Sequence, residues 1–264
     1  GVYAKDTKTG EYVSFTGNMS GMLIADYIMQ ERKATGTMPE NPALVTTVVT
    51  TDMAKAICKY YNVDCIEVLT GFKYIGEQIK FFEQTGSHNY VFGLEESYGC
   101  LAGTYTRDKD SIVAVMMLAE VASFYKKQGK TLWDAMIDLY EKYGYYREGQ
   151  TTKELKGASG AVEIQKIMDS FRQNPPTELG GLKVLERRDY KIDEKVNNVT
   201  GETSKTGLPT SNVLYYQLEN DAWCCVRPSG TEPKIKFYFG VKGTSLEDAN
   251  AKLEVLKNAM VGEE

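Results

Sequence analysis

The segment Arg227-Pro228-Ser229-Gly230-Thr231-Glu232-Pro233-Lys234 gathers a guanidinium, two hydroxyls and a glycine within a few residues. Such a set makes a concave array of donors for phosphate oxygens, because glycine lets backbone N–H groups come close and a guanidinium donates to two oxygens at once. Lys234 and Lys236 stand two apart, at strand spacing, so they share a face and add positive charge. The alternative is a turn in which proline and glycine set the geometry and the lysines are solvated. A second segment, Gly93-Leu94-Glu95-Glu96-Ser97-Tyr98-Gly99, places two carboxylates and a hydroxyl after an apolar run. Carboxylates accept well from vicinal sugar hydroxyls, and the carboxyl edge of an α/β sheet is where such folds bind ligands. On an extended loop Glu95 and Ser97 point the same way while Glu96 points elsewhere; the alternative is a loop of solvated acids leading into a helix. Arg107-Asp108-Lys109-Asp110 precedes a long helix, whose N-terminus its aspartates suit, and Lys109 is also able to donate to a phosphate or transfer a proton. Thr70-Gly71-Phe72-Lys73 follows a strand at the same sheet edge. His88, the only histidine, follows Ser87. Adjacent strand residues face apart and no third orienting group is evident in the sequence, so a nucleophile is not expected there.

These segments need elements to hold them. Residues 19–30 fit a helix, broken by Thr35-Gly36-Thr37 and the prolines that follow. Residues 43–49, 65–69 and 90–94 read as short continuous apolar strands, separated by amphipathic helices carrying Ile57 and Tyr60, then Phe72, Ile75, Ile79 and Phe82. Asp52 is the expected cap of the first of these. That order predicts a layered α/β domain with a buried, mixed and mostly parallel sheet. A long helix over 110–127 follows, and Thr131 with Asp134 makes a capping box for a helix through Tyr143. The tyrosines of 140–146 read as helix packing. The stretch 144–160 is polar and glycine-rich and marks a boundary, placed at 147/148. Beyond it, a helix over 161–171, extended runs over 182–190, 213–218, 222–227 and 235–241, and a C-terminal helix capped by Ser245 predict an α+β domain with helices on one face of an antiparallel sheet.

The chain has 264 residues, 42% hydrophobic and 25% charged, and a net charge of -5, which excludes disordered and fibrous classes and makes nucleic acid an unexpected partner. Its longest apolar run, 112–119, is far short of the roughly 20 residues a membrane span needs. No membrane partner is expected. With no basic-then-apolar signal, and five cysteines in no metal-binding spacing, a cytoplasmic protein with reduced thiols is expected. Residues 1–13 read as a hairpin with nothing before it.

Taken together, Glu95-Glu96-Ser97-Tyr98-Gly99 and Arg227-Pro228-Ser229-Gly230-Thr231 resemble the α-D-phosphohexomutase superfamily. The resemblance is closest to its bacterial phosphoglucomutases, with phosphomannomutases in the same subgroup. It runs nearly end to end, through Thr16-Gly17-Asn18, residues 70–75, 107–110 and 132–146. It implies four domains around one cleft, of which residues 14–147 are the third and 148–264 the fourth, a TATA-binding-protein-like α+β domain. Residues 1–13 would be the tail of the second. Glu95 and Ser97 would hold sugar hydroxyls, Gly71, Phe72 and Lys73 would help read sugar orientation, and Lys109 would approach the transferring phosphate. Arg227, Ser229, Gly230 and Thr231 would anchor the other phosphate, with Lys234 and Lys236 as further candidates. The implied activity interconverts hexose 1-phosphate and hexose 6-phosphate through a phosphoserine and glucose 1,6-bisphosphate, with Mg²⁺. The family's T-A-S-H-N-P serine loop and D-x-D-x-D-R metal loop are absent. Residues 85–89 echo the former in the wrong place in chain order, so Ser87 is not the phosphoserine. No metal ligand is expected in this chain, which alone is expected to be inactive, its partners being a hexose phosphate and the missing first and second domains. A non-catalytic phosphosugar-binding module is the competing expectation. A nucleotide-binding domain is weakened because no G-x-G-x-x-G or G-x-x-x-x-G-K follows a strand.

Overall fold

β-Branched runs alternating with amphipathic helices build the first of two units, Gly1–Gly144, in a computed structural model that describes residues 1–155, 160–230 and 232–262. The unit opens with an antiparallel hairpin, β1 (Val2–Lys5) and β2 (Tyr12–Phe15). α1 (Gly17–Thr35) starts where the Thr16 hydroxyl accepts from Met19 N–H and stops at Gly36, whose φ of 69° is left-handed. β3 (Pro42–Thr47), α2 (Met53–Tyr61), β4 (Asp64–Val68), α3 (Phe72–Thr85), β5 (Asn89–Leu94) and the two-residue β6 (Cys100–Leu101) follow. α4 (Ser111–Lys126) and α5 (Leu132–Tyr143) complete the unit.

The sheet runs β4-β3-β5-β6, with β3 parallel to both neighbours and β6 antiparallel to β5. β3 is buried from Ala43 to Thr47, which is why its sequence shows no polar alternation. Consecutive residues of a strand face opposite ways, and the consecutive Gly93 and Leu94 meet Ile75 of α3 and Gly21 of α1. The two helices therefore cover opposite faces, and the unit is an α/β/α sandwich.

The hairpin is tied to α5 by side chains. Thr131 Oγ1 donates to Lys5 O (2.7 Å), Thr7 Oγ1 donates to Asp134 (2.7 Å), and Phe15 packs edge-on against Trp133. Residues 1–13, expected as the tail of another domain, thus pack as part of this unit. The Thr131–Asp134 capping box forms as expected. Since Thr131 serves both the cap and the hairpin, Thr131→Ala is expected to lower unfolding free energy by about 1–2 kcal/mol in urea denaturation. Asp52 differs from expectation: it is itself helical, makes no side-chain cap bond, and pairs with Lys55 at 2.7 Å.

The second unit, Tyr145–Glu264, contains β7 (Tyr145–Glu154), α6 (Gly160–Gln173), β8 (Glu178–Leu179), β9 (Leu182–Asp189), β10 (Glu194–Asn197) and β11 (Thr203–Ser204). β12 (Leu214–Leu218), β13 (Trp223–Pro228), β14 (Lys234–Gly243) and α7 (Leu246–Val261) complete it. Its antiparallel sheet runs β11-β10-β9-β12-β13-β14-β7, with β8 on β9. Ile164 and Met168 of α6 and Leu256 and Met260 of α7 cluster with Cys224, Val226, Ile235, Phe237 and Phe239, so the helices cover one face. Ser245 caps α7 by accepting from Asp248 N–H.

The division between units falls after Gly144, three residues ahead of the expected 147/148. The polar stretch there is a ten-residue strand, β7, paired along its length with β14 from Tyr145↔Gly243 to Glu154↔Lys234. Tyr145 and Tyr146, expected to pack with a helix, begin that strand instead. Its composition looks like a linker because its partner lies far away in sequence.

Candidate functional site

In the first unit the loops after β4 and β5 and the segment before α4 meet at one point. Glu95 directly follows β5 and is 6% exposed, and its Oε2 accepts from Lys109 Nζ at 3.0 Å. The same ammonium stands 5.9 Å from the centre of the Phe72 ring, which closes the floor beneath it. Phe72 itself is 3% exposed and packed among Val45, Val68 and Ile75. Expected to help read sugar orientation, it has its side chain in the core instead. Gly71 precedes it with φ of 121°, a left-handed value that a side chain would strain, and Lys73 is exposed with its ammonium 4.6 Å from the Tyr74 ring.

The loop 95–99 is not extended. Glu95 N–H donates to Gly99 O at 2.8 Å and closes a tight turn, in which Tyr98 takes a φ of 70°. Glu95 is consequently buried while Ser97 is exposed, and the shared direction expected of them does not hold. Glu96 accepts from Thr47 Oγ1 at 3.4 Å, a contact with the end of β3. The turn also needs Gly99. A Cβ there would lie 2.6 Å from Lys109 Cδ and 2.8 Å from Glu95 Oε2, across the path of the lysine. Gly99→Ala is expected to destabilise the unit by about 1–2 kcal/mol, and Lys109→Ala beneath it to return part of that loss, read as a non-additive double-mutant cycle in thermal unfolding.

Around Lys109 the charges sort by role. Asp110 caps α4, accepting from Ile112 N–H at 2.8 Å and Val113 N–H at 3.3 Å. The Tyr105 hydroxyl bond to Asp110, with those amides, holds its carboxyl below the usual range. Arg107 reaches Glu83 at 2.5 Å, and Asp108 accepts from Lys109 N–H at 2.8 Å. Lys109 alone of this run turns to Glu95.

In the second unit Arg227, next to last in β13, stands directly opposite Lys236 of β14, so register puts the guanidinium and the ammonium side by side on one face. Sequence spacing had joined Lys236 only to Lys234. Cys224 and Val226, then Ile235 and Phe237, point to the helix-covered core, which leaves the cationic row on the other face. Ser229 N–H donates to Lys234 O at 2.8 Å, so Ser229 and Gly230 lie in a hairpin connection. Thr231 lies outside the described residues. Lys234 is engaged by Glu154 at 2.7 Å and Glu232 at 3.2 Å, and the Glu154 hydrogen bond, then the Glu232 one, raises its affinity for its proton. Among the described residues Lys236 forms no ion pair.

His88 gains the third group its sequence context lacked. Its Nε2 is 3.1 Å from Asp64 Oδ2 and its Nδ1 3.2 Å from Ser87 Oγ. Asp64 begins β4 and Asn89 begins β5, so the trio sits at the sheet edge opposite to Glu95.

The family model for phosphoglucomutase/phosphomannomutase alpha/beta/alpha domain III matches residues 16–143, and that for the C-terminal domain matches 182–257. A phosphoglucomutase from Staphylococcus aureus is 36% identical over 253 residues, which is 96% of this chain and 44% of that protein. The chain thus spans less than half the length of the curated relatives it matches. Among solved structures, parafusin, a phosphoglucomutase from Paramecium in an open form, superposes with a TM-score of 0.62 at 17% identity, over 94% of this chain and 40% of that one. A phosphoglucomutase/phosphomannomutase family protein from Burkholderia thailandensis gives 0.51 at 16% identity, over 98% and 44%. At such identities the structures attest the fold, and the sequence matches carry the relationship. This chain belongs to the phosphoglucomutase/phosphomannomutase family, its first unit matching domain III and its second the C-terminal domain.

Proposed function

We propose that this chain is the sugar- and phosphate-holding part of a hexose-phosphate mutase that interconverts glucose 1-phosphate and glucose 6-phosphate through a phosphoserine and glucose 1,6-bisphosphate. The observation that carries the reading is the buried Glu95 carboxylate paired with Lys109 at the carboxyl edge of a parallel sheet, in a chain of this family. A buried carboxylate with one oxygen held by an ammonium keeps acceptor capacity for sugar hydroxyls, and Ser97, exposed in the same turn, offers a further hydroxyl partner. Lys109, half exposed, is placed to hold a proton or meet a phosphate oxygen when a ligand draws it from Glu95. Gly71 and Lys73, with the Phe72 backbone, border the same edge and would bear on sugar orientation.

Arg227, Ser229, Gly230, Thr231 and Lys236 would take the phosphate that is not transferred, with Lys234 held by its carboxylates as a lesser contributor. A phosphate anchor and a hydroxyl clamp that ignore which end of the sugar is presented suit a reaction whose intermediate must turn round. Among the described residues no three His, Cys, Asp or Glu side chains converge as a metal-holding group, so Mg²⁺ has no ligands assigned here and no step is routed through it. Glucose is preferred to mannose because the curated relatives are phosphoglucomutases. A cytoplasmic setting is part of the proposal, supported by five free cysteines. Among the described residues no helix is long and apolar enough to cross a membrane.

The test is a coupled assay of the longer protein with glucose 1-phosphate and mannose 1-phosphate, beside this chain alone. Turnover by the longer protein, with glucose preferred and this chain inactive, is the expected result. Turnover of neither sugar by the longer protein would sink the mutase reading, and robust turnover by this chain alone would sink its role as a part.

A further inference from the structure

Cys58 lies on the buried face of α2, and Cys65 is the second residue of β4. The packing of that helix on that strand brings the two together. Consecutive strand residues face opposite ways, and Ile66 and Val68 pack with Ile75 and Ile79 of α3, so Cys65 and Glu67 face the other side of the sheet. α2 covers that side, since its Lys55 meets Glu67 at 2.9 Å. A helix that joins two parallel strands runs against them. One turn onward from Lys55 along α2 therefore returns over the strand two residues before Glu67, which sets Cys58 over Cys65. The connection between them is tight: Asn62 takes a left-handed φ of 57°, and Val63 N–H donates to Cys58 O at 2.9 Å. The two thiols share a hydrogen bond.

We infer that Cys58 and Cys65 form a reversible dithiol–disulfide site, oxidised by exchange with a small disulfide of the glutathione class. Access sets the order of events. Cys65 is part-exposed on β4, the edge strand of its sheet, whereas Cys58 is 1% exposed. The bond to Cys65, then burial, pushes the Cys58 thiol far up, so Cys65 is the first nucleophile. Its thiolate attacks one sulfur of the oxidant and breaks the S–S bond; one half stays on Cys65 as a mixed disulfide and the other leaves as a thiolate. Cys58 gives up its proton, attacks the Cys65 sulfur and expels the second half. One S–S bond breaks and one forms, and the oxidant leaves as two thiols that carry the protons of the cysteine pair. Cys224 and Cys225 are not so placed, because they are consecutive in β13 and face opposite ways. In a reducing compartment such a disulfide is transient and redox-sensing. β4 runs from Cys65 toward the Thr70–Lys73 loop, so oxidation ties α2 to the strand that carries this loop.

The test is incubation of the folded longer protein with oxidised glutathione at neutral pH, then acid quench, denaturation, alkylation and digestion without reductant, read by peptide mass. The expected result is joint loss of alkylation at Cys58 and Cys65, with their peptides linked and lighter by the pair of hydrogens removed. Dithiothreitol should restore both. In Cys58→Ala the reaction should stop with glutathione on Cys65, the step that the buried thiol otherwise resolves. Cys58 still fully alkylated in the parent protein while Cys65 carries glutathione overturns the inference, as does a link that forms only in denaturant. The parent protein alone gives the deciding measurement, so it holds whether or not the variant folds, and it does not depend on the mutase reading.

Discussion

Arg227→Ala in the longer protein is expected to raise KM for hexose phosphate about 100-fold, equivalent to about 2.7 kcal/mol, with a smaller change in kcat. The reasoning starts from geometry. Arg227 faces Lys236 across the β13–β14 pair, beside the Ser229–Gly230 connection. A guanidinium meets phosphate with two parallel charge-assisted hydrogen bonds, each worth roughly 1.5–3 kcal/mol. Arg227→Lys keeps the charge and loses the fork, so a loss of about tenfold is expected. Lys236→Ala, which removes a point charge alone, should cost less than either. Steady-state kinetics on the three variants, with unfolding midpoints as controls, decide the matter: an unchanged KM in Arg227→Ala removes the phosphate role from this hairpin.

Asp26→Ala is expected to cost the first unit about 2–4 kcal/mol of stability. Asp26 is 2% exposed on α1, accepts from the Tyr143 hydroxyl at 2.5 Å, and has Lys142 Nζ 3.5 Å away. That ammonium lies 3.9 Å from the Tyr60 ring centre and 4.6 Å from that of Tyr143, so the carboxylate anchors the end of α5 and its cationic side chain against α1 and α2. Removing it takes the carboxylate acceptor from the part-buried Tyr143 hydroxyl and leaves a cation without its counterion. Asp26→Asn, which still accepts from Tyr143, should lose about half as much. Burial first, then the Asp26 hydrogen bond, pushes the Tyr143 hydroxyl far above its ordinary pKa. Because the folded value is the raised one, this contribution is full below about pH 10 and is lost as pH rises beyond it. Urea denaturation at neutral and alkaline pH checks both: equal stability of Asp26→Ala and the parent chain would refute the anchor.

Which residues bear chemistry was legible in the chain because type and spacing are local properties. Strands over 42–47, 64–68 and 89–94, the Thr131–Asp134 capping box and the Ser245 cap were readable for the same reason: each depends on neighbours a few residues away. β7 was not readable, since its polar, glycine-containing sequence becomes a strand only through pairing with β14. The direction of Glu95 against Ser97 was not readable either. A turn closed from Glu95 to Gly99 replaced the extended loop on which the alternation rested.

By itself, then, the amino-acid sequence determined the plan of an α/β unit followed by an α+β unit, most of the caps, and the loops able to meet a phosphosugar. Tertiary structure alone decided which of those residues meet: Lys109 on Glu95, Arg227 opposite Lys236, Asp64 at His88, Phe72 in the core. The physical reason is range. Propensity and capping act within one or two turns of chain, whereas an ion pair or a strand register joins groups whose separation along the chain carries no information about their distance in space.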